Sequence, residues 1–296
     1  TTGIESDEPQ TRARYSPAVL RLAELHNVDL SLIKGTGING RVSRKDVQTY
    51  IKSQANTSVR SLSVSDEDER VPLTAVRRMI AENMVRSTTE IPEAWLTMEV
   101  DMSNVVAVRE RAKDDFERQT GARLTPLAFA FKAVAEALLA NQLVNSTWDG
   151  DAILLMKQVN VGVAIATPKG LLVPVIHDAD RLDVAGSAMS IDALATKARQ
   201  QKLDVADVQG GTFTVNNTGA LGSIMGKGII NHPQAAILNT EAIVKRPIII
   251  NDAIAIRSMM NICLTFDHRI LDGAEAGAFV ADVKRGLEAV QPDMSI

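Results

Sequence analysis

The chain has 296 residues, 45% hydrophobic but only 3% aromatic, enough for one sizeable aliphatic core with a small unit besides. A formal net charge of −4 gives no bulk attraction to nucleic acid, and a single cysteine excludes an internal disulfide and fits a reducing compartment. No apolar run reaches the length of a membrane span; the nearest, 127–140, is cut by Lys132 and Glu136.

Residues 1–11 are polar and acidic and read as the remnant of a linker. Residues 12–52 carry eight basic side chains against three acidic ones, so a small basic module is expected there. Ser16-Pro17 starts a helix with an apolar stripe of Val19, Leu20, Leu22, Ala23 and Leu25. Ser43 caps a second helix, with Val47 and Ile51 facing inward. Between them, Gly35-Thr36-Gly37-Ile38-Asn39-Gly40 is formally G-x-G-x-x-G. A dinucleotide fold needs a second hydrophobic strand and an acidic residue about 20 positions later. A serine-rich stretch stands there instead, and 53–70 reads as a flexible linker.

From residue 71 the pattern mixes both periods. Helices are predicted over 74–87, 103–119, 126–140, 187–202 and 273–289. Strand signals lie at 159–165, 171–176, 212–215, 235–238 and 253–257. Alternation is too irregular for a doubly wound sheet, so an α+β sandwich is expected.

The most informative stretch is Asp267-His268-Arg269-Ile270-Leu271-Asp272-Gly273. A β-prone run, 259–266, leads into it, and a helix with Phe279, Val280, Val283, Leu287 and Val290 at core spacing follows. His268 thus sits at a strand-to-helix junction between opposite charges, a position for a base. Read as plain structure, Asp272 and Glu275 are instead a capping box and His268 a junction residue. Cys263 is five residues away, about 16 Å along an extended run and on the opposite face, so it reads as core rather than nucleophile. His26, His177 and His232 are scattered without metal-ligand spacing.

The string His-x-x-x-Asp-Gly, with Arg269 beside the histidine, resembles the active-site signature of the dihydrolipoamide acyltransferases of 2-oxo acid dehydrogenase complexes. Chloramphenicol acetyltransferase carries a similar one. Segments 166–176, 211–219 and 231–237 resemble the same family. The stretch from Arg14 through Val47 is similar to its peripheral subunit-binding domain. The resemblance implies a chloramphenicol-acetyltransferase-like sandwich over 71–296, preceded by a helical subunit-binding domain over 12–52. It implies acyl transfer from dihydrolipoamide to coenzyme A, with His268 as general base for the thiol. Many members carry Ser or Thr where Asn216 stands, so Asn216 is the expected oxyanion donor and Thr218 the reserve. Asp272 is expected to pair with Arg77 (Arg78 as alternative) and fix the loop.

Also implied are homotrimers assembled into a 24-mer or 60-mer core, with the cleft shared between subunits. The decarboxylase component and dihydrolipoamide dehydrogenase would dock on Arg12, Arg14, Arg41, Arg44 and Lys45. No metal, nucleic acid or membrane is implied. The expected compartment is the cytoplasm of a bacterium or the matrix of a mitochondrion. No Asp-Lys dipeptide of a lipoyl turn occurs, so the lipoyl group is expected on a domain outside this sequence. Among acyl groups, the Asn-Asn-Thr-Gly form resembles branched-chain enzymes more than acetyl- or succinyltransferases. A non-catalytic docking scaffold is the alternative.

Overall fold

The Ser16 side chain accepts from the Val19 amide and Pro17 fills the first turn, so α1 (Pro17–Leu25) begins where the punctuation predicts. The computed structural model describes residues 15–26, 28–37, 40–57 (side chains to 51), 65, 68–168 and 170–296. It divides at Pro72/Leu73 into two units. In the first, α1 is followed by a 3₁₀ turn, Leu30–Leu32, and by α2 (Arg44–Thr57). Val19, Ile33 and Val47 form its core, while Leu20 and Leu25 stay exposed, so the buried stripe of α1 is narrower than its sequence suggested. Helix α2 meets no glycine or proline and runs on to Thr57, so residues 53–57 of the expected linker are helical. Arg12, Arg14 and residues 1–11 lie outside the described residues.

The glycines between the helices serve packing. A Cβ on Gly35 would fall 2.4 Å from the Gly40 carbonyl oxygen, so the two limbs of the loop touch backbone to backbone. Asp46 ties this loop to α2: its carboxylate accepts from the Thr36 amide (3.0 Å), the Thr36 hydroxyl (2.7 Å) and the Ser43 amide (2.8 Å). These donors, the Thr36 amide first, hold the Asp46 carboxyl well below the usual aspartate range.

In the second unit, helix and strand order is α3 (Ala75–Glu90), β1 (Glu93–Asp101), α4 (Ser103–Thr120), α5 (Pro126–Ala140), β2 (Ser146–Trp148), β3 (Ile153–Leu155), β4 (Val161–Val163), β5 (Ile165–Thr167), β6 (Gly170–Leu172), β7 (Val175–Ile176), α6 (Val184–Arg199), β8 (Phe213–Asn217), β9 (Ala236–Thr240), β10 (Val244–Ile250), β11 (Ala253–Asp267) and α7 (Gly273–Glu288). The main sheet runs β1-β11-β9-β8-β4-β7, with β10 folded back onto the first half of β11. Neighbours β9-β8-β4 are parallel and the other pairs antiparallel.

The α+β expectation holds: α5 lies between α6 and α7, and α7 packs on β1 and β11. Nine of the fifteen residues of α5 are buried, Phe129, Phe131, Val134 and Leu138 among them, while Lys132 and Glu136 mark its outer side. Phe213 of β8 meets Phe279 of α7 edge to face at 5.5 Å, joining sheet and helix layer. Strands β1, β2, β3 and β10 are absent from the predicted elements; β1 and β10 lie against β11, which joins the predicted runs 253–257 and 259–266 into one strand.

Candidate active site

Strand β11 ends at Asp267, and the chain turns at once into α7. Asp267 is only 2% exposed, and its carboxylate holds the next-but-one side chain: Arg269 donates through Nε at 3.0 Å and Nη2 at 2.6 Å. The Arg269 amide adds a further bond to the same carboxylate at 2.9 Å. The guanidinium also lies 5.1 Å over the Trp148 ring, and Asp267 raises its pKa further, so it stays charged. Ile270 and Leu271 amides both donate to the Asp267 carbonyl. The residue caught inside this turn is His268, itself anchored by its amide to the Pro92 carbonyl at 3.0 Å.

The imidazole is 52% exposed, with Nδ1 3.7 Å from an Asp272 carboxylate oxygen. That leaves Nε2 as the nitrogen free to take a proton. Asp272 also opens α7, its amide donating to Glu275 at 3.1 Å, which is the return half of a capping box. Both readings of this stretch therefore hold: it caps a helix and presents an imidazole to solvent.

The Arg77–Asp272 pair is not formed within one chain. Asp272, 80% exposed, turns to His268 and to its own helix start, while α3 carries the Arg77 guanidinium beside Gly170 and leaves Arg78 exposed. The carboxylate lies at the α7 N-terminus, where the helix dipole favours a negative charge.

Asn216 lies near the C-terminal end of β8 and lines a cavity of about 290 Å³, at the small end of the range for ligand pockets. Val163, Ile165, Leu171 and Leu221 give that cavity its apolar wall. The Asn216 amide donates one hydrogen to Asn239 Oδ1 at 3.3 Å, and its second N–H is uncommitted. Thr218 is differently placed: its hydroxyl donates to the buried carboxylate of Glu241 at 2.7 Å. Its proton is engaged there, whereas Asn216 keeps one N–H uncommitted. The sequence reading missed Glu241 and the Asp267–Arg269 pair; the opposite charges two positions apart were the available signal for the second.

Sheet register separates the two groups. Asn216 faces Asn239, which faces Cys263, five residues short of His268. Two strand spacings and five residues put the imidazole about 16 Å along and about 10 Å across from the amide, roughly 19 Å in all. Cys263 is a buried core residue, as expected, accepting from the Thr97 hydroxyl at 3.2 Å. His232 pairs with Glu90 at 3.1 Å, and no cluster of metal-ligating side chains exists among the described residues. No described helix is long and apolar enough to cross a membrane. Arg41, Arg44 and Lys45 are exposed on the small unit.

A family model described as 2-oxoacid dehydrogenases acyltransferase (catalytic domain) matches residues 65–294, and one described as e3 binding domain matches 13–48. The lipoamide acyltransferase component of the branched-chain alpha-keto acid dehydrogenase complex of Bacillus subtilis (strain 168) is 46% identical, over 98% of this chain and 74% of that protein. The crystal structure of a probable dihydrolipoamide acetyltransferase from Listeria monocytogenes 4b F2365 superposes with TM-score 0.77 at 48% identity, covering 78% of this chain and 99% of that one. The Azotobacter vinelandii dihydrolipoamide acetyltransferase superposes with TM-score 0.74 at 32% identity, covering 77% and 97%. That structure was determined to investigate the catalytic role of a serine, a histidine and an asparagine. Its serine precedes the histidine by 52 positions and its asparagine follows by four, the spacings of Asn216 and Asp272 from His268 here. Matched across its catalytic unit and over nearly its whole length, the chain belongs to the acyltransferase family of the 2-oxo acid dehydrogenase complexes.

Proposed function

We infer that the protein transfers a branched-chain acyl group from dihydrolipoamide to coenzyme A, in sites built between copies of the chain. The observation that carries this is the separation just described: an open imidazole and an uncommitted amide, both suited to acyl transfer, roughly 19 Å apart on one chain. Neither can reach a thioester held by the other. A second copy brings the Asn216 of one chain to the His268 of its neighbour, in the manner of a closed ring with one site per junction.

The chemistry follows from acidities. A free thiol, pKa near 8.5, is only a few per cent thiolate at neutral pH, whereas imidazole titrates about two units lower, equivalent to about 2.7 kcal/mol. Nε2 of His268 takes the coenzyme A proton as sulfur attacks the thioester carbon. The carbonyl oxygen becomes an anion, Asn216 donates to it, and collapse expels the dihydrolipoamide thiolate, which recovers the proton from the imidazolium. Asp272 faces Nδ1 and favours the tautomer that leaves Nε2 bare. The lipoyl group is delivered on a lipoyl domain outside these residues.

The branched-chain choice is supported by the Bacillus subtilis relative and by the aliphatic wall beside Asn216. The small unit docks the decarboxylase component or dihydrolipoamide dehydrogenase through Arg41, Arg44 and Lys45, with Arg12 and Arg14 as further candidates. The e3 binding domain match and the module's basic charge support that docking.

The test is an assay of isobutyryl, acetyl and succinyl transfer from dihydrolipoamide to coenzyme A, with His268→Ala beside it. Isobutyryl transfer should be fastest and should fall about 10²–10⁴-fold in the variant. Equal rates in both proteins would remove the base; no transfer in either would leave a docking scaffold.

A further inference from the structure

We propose that Glu241 is a positioning residue for acyl transfer, holding the turn that carries Asn216 through the Thr218 hydroxyl. The claim rests on the assignment of Asn216 as oxyanion donor.

Glu241 follows β9 directly and is 3% exposed. One carboxylate oxygen accepts from Thr218, and the other has no hydrogen-bond partner among the described residues. Burying a carboxylate with an acceptor left over opposes folding relative to an apolar side chain of similar size. Packing alone therefore gives no reason for an acid here. What the acid does accomplish is local: it fixes Thr218, two residues from the donor.

Three further contacts make segment 240–242 a clamp on the 216–223 turn. The Thr240 hydroxyl donates to the Asn216 carbonyl at 3.4 Å, and the Ala242 amide donates to the Ser223 carbonyl at 2.7 Å. Between them Gly219 lies so close that a Cβ would stand 2.2 Å from the Glu241 carbonyl carbon. The side chain of Asn216 is held separately by Asn239. Backbone and side chain of the donor are thus both aimed, and Glu241 supplies the one charged contact in that arrangement. Donor placement matters at the scale of a few tenths of an ångström, since the N–H must meet an oxyanion that exists only in the transition state.

The experiment is steady-state kinetics on the assembled full chain, with kcat and the KM for coenzyme A measured separately for Glu241→Ala, Glu241→Gln, Thr218→Val, Asn216→Ala and the Glu241→Ala/Asn216→Ala double variant. Glu241→Ala and Thr218→Val should each lower kcat by about 10- to 100-fold, with KM changed less than about twofold. Glu241→Gln keeps an acceptor for the Thr218 hydroxyl and should recover most of the rate. The double variant should be no slower than Asn216→Ala alone, because a donor already removed cannot be misplaced.

If Glu241→Ala runs at the wild-type kcat while Asn216→Ala is slow, the clamp is wrong and the donor assignment stands. A double variant that multiplies the two losses also overturns the clamp. If Asn216→Ala is itself unimpaired, the donor assignment falls and takes the clamp with it. Should Glu241→Ala fail to assemble, Thr218→Val decides alone: a wild-type kcat there refutes the proposal.

Discussion

At the scale of single residues, the His268 ring is exposed while Asp267, Ile270 and Leu271 around it are buried. Asp267 is buried and tied by four hydrogen bonds to Arg269, so the turn around His268 has little freedom while the ring keeps a solvent face. Arg269→Lys keeps the charge but loses the two-point grip, and Arg269→Ala leaves the buried carboxylate unpaired. Removing one partner of a buried pair costs about 3–5 kcal/mol; Arg269 is partly in solvent, so roughly 2–3 kcal/mol is expected for alanine and less for lysine. Urea unfolding midpoints check this, and a midpoint unchanged in Arg269→Ala would show the pair to be ornamental. His268 and Asp272 were legible in the sequence because a contiguous string carries them. The partner of Thr218 was not, because Glu241 is remote in sequence and reaches it only through the pairing of β8 with β9. The Arg77 pairing is absent within one chain, where the Asp272 carboxylate faces His268 and its amide donates to Glu275.

At the scale of elements, the long helices α4, α5 and α7 were legible from period and caps. Strand β1 does alternate, with Ala94, Leu96, Met98 and Val100 turned to the core, but Trp95 on the other face blurs the pattern. Strand β10 contains Pro247, which a ladder admits only at an edge, and β10 is an edge strand. The G-x-G-x-x-G loop is held by Asp46, an organiser visible only once the chain is folded. That carboxylate titrates below its ordinary value of 3.8, so its contribution is complete above about pH 4 and is lost as pH falls toward the lower folded value. In the full chain, amide protection at Thr36 and Ser43 should therefore drop between about pH 4 and 2. In Asp46→Asn that protection should be weak at every pH; an acid-insensitive loop in the wild type would contradict the assignment.

At the scale of the whole molecule, the interleaving of two chains can be tested without a structure of the assembly. Coexpressed His268→Ala and Asn216→Ala chains, each strongly impaired alone, should regain activity, since about one junction in four joins a sound imidazole to a sound amide at equal mixing. A site contained within one chain predicts no recovery at all, and mass spectrometry of the mixed assemblies fixes the ratio. This arrangement was implied only by resemblance at the level of sequence. The register of β8, β9 and β11 gives it a physical basis.

The five-residue offset between Cys263 and His268 has a consequence beyond geometry. On the proposed reading, a newly made chain should leave cellular thioesters alone until it meets its own kind. Dilution should then silence the enzyme more steeply than in proportion to concentration, and the steepness would report how many chains must gather before the first turnover.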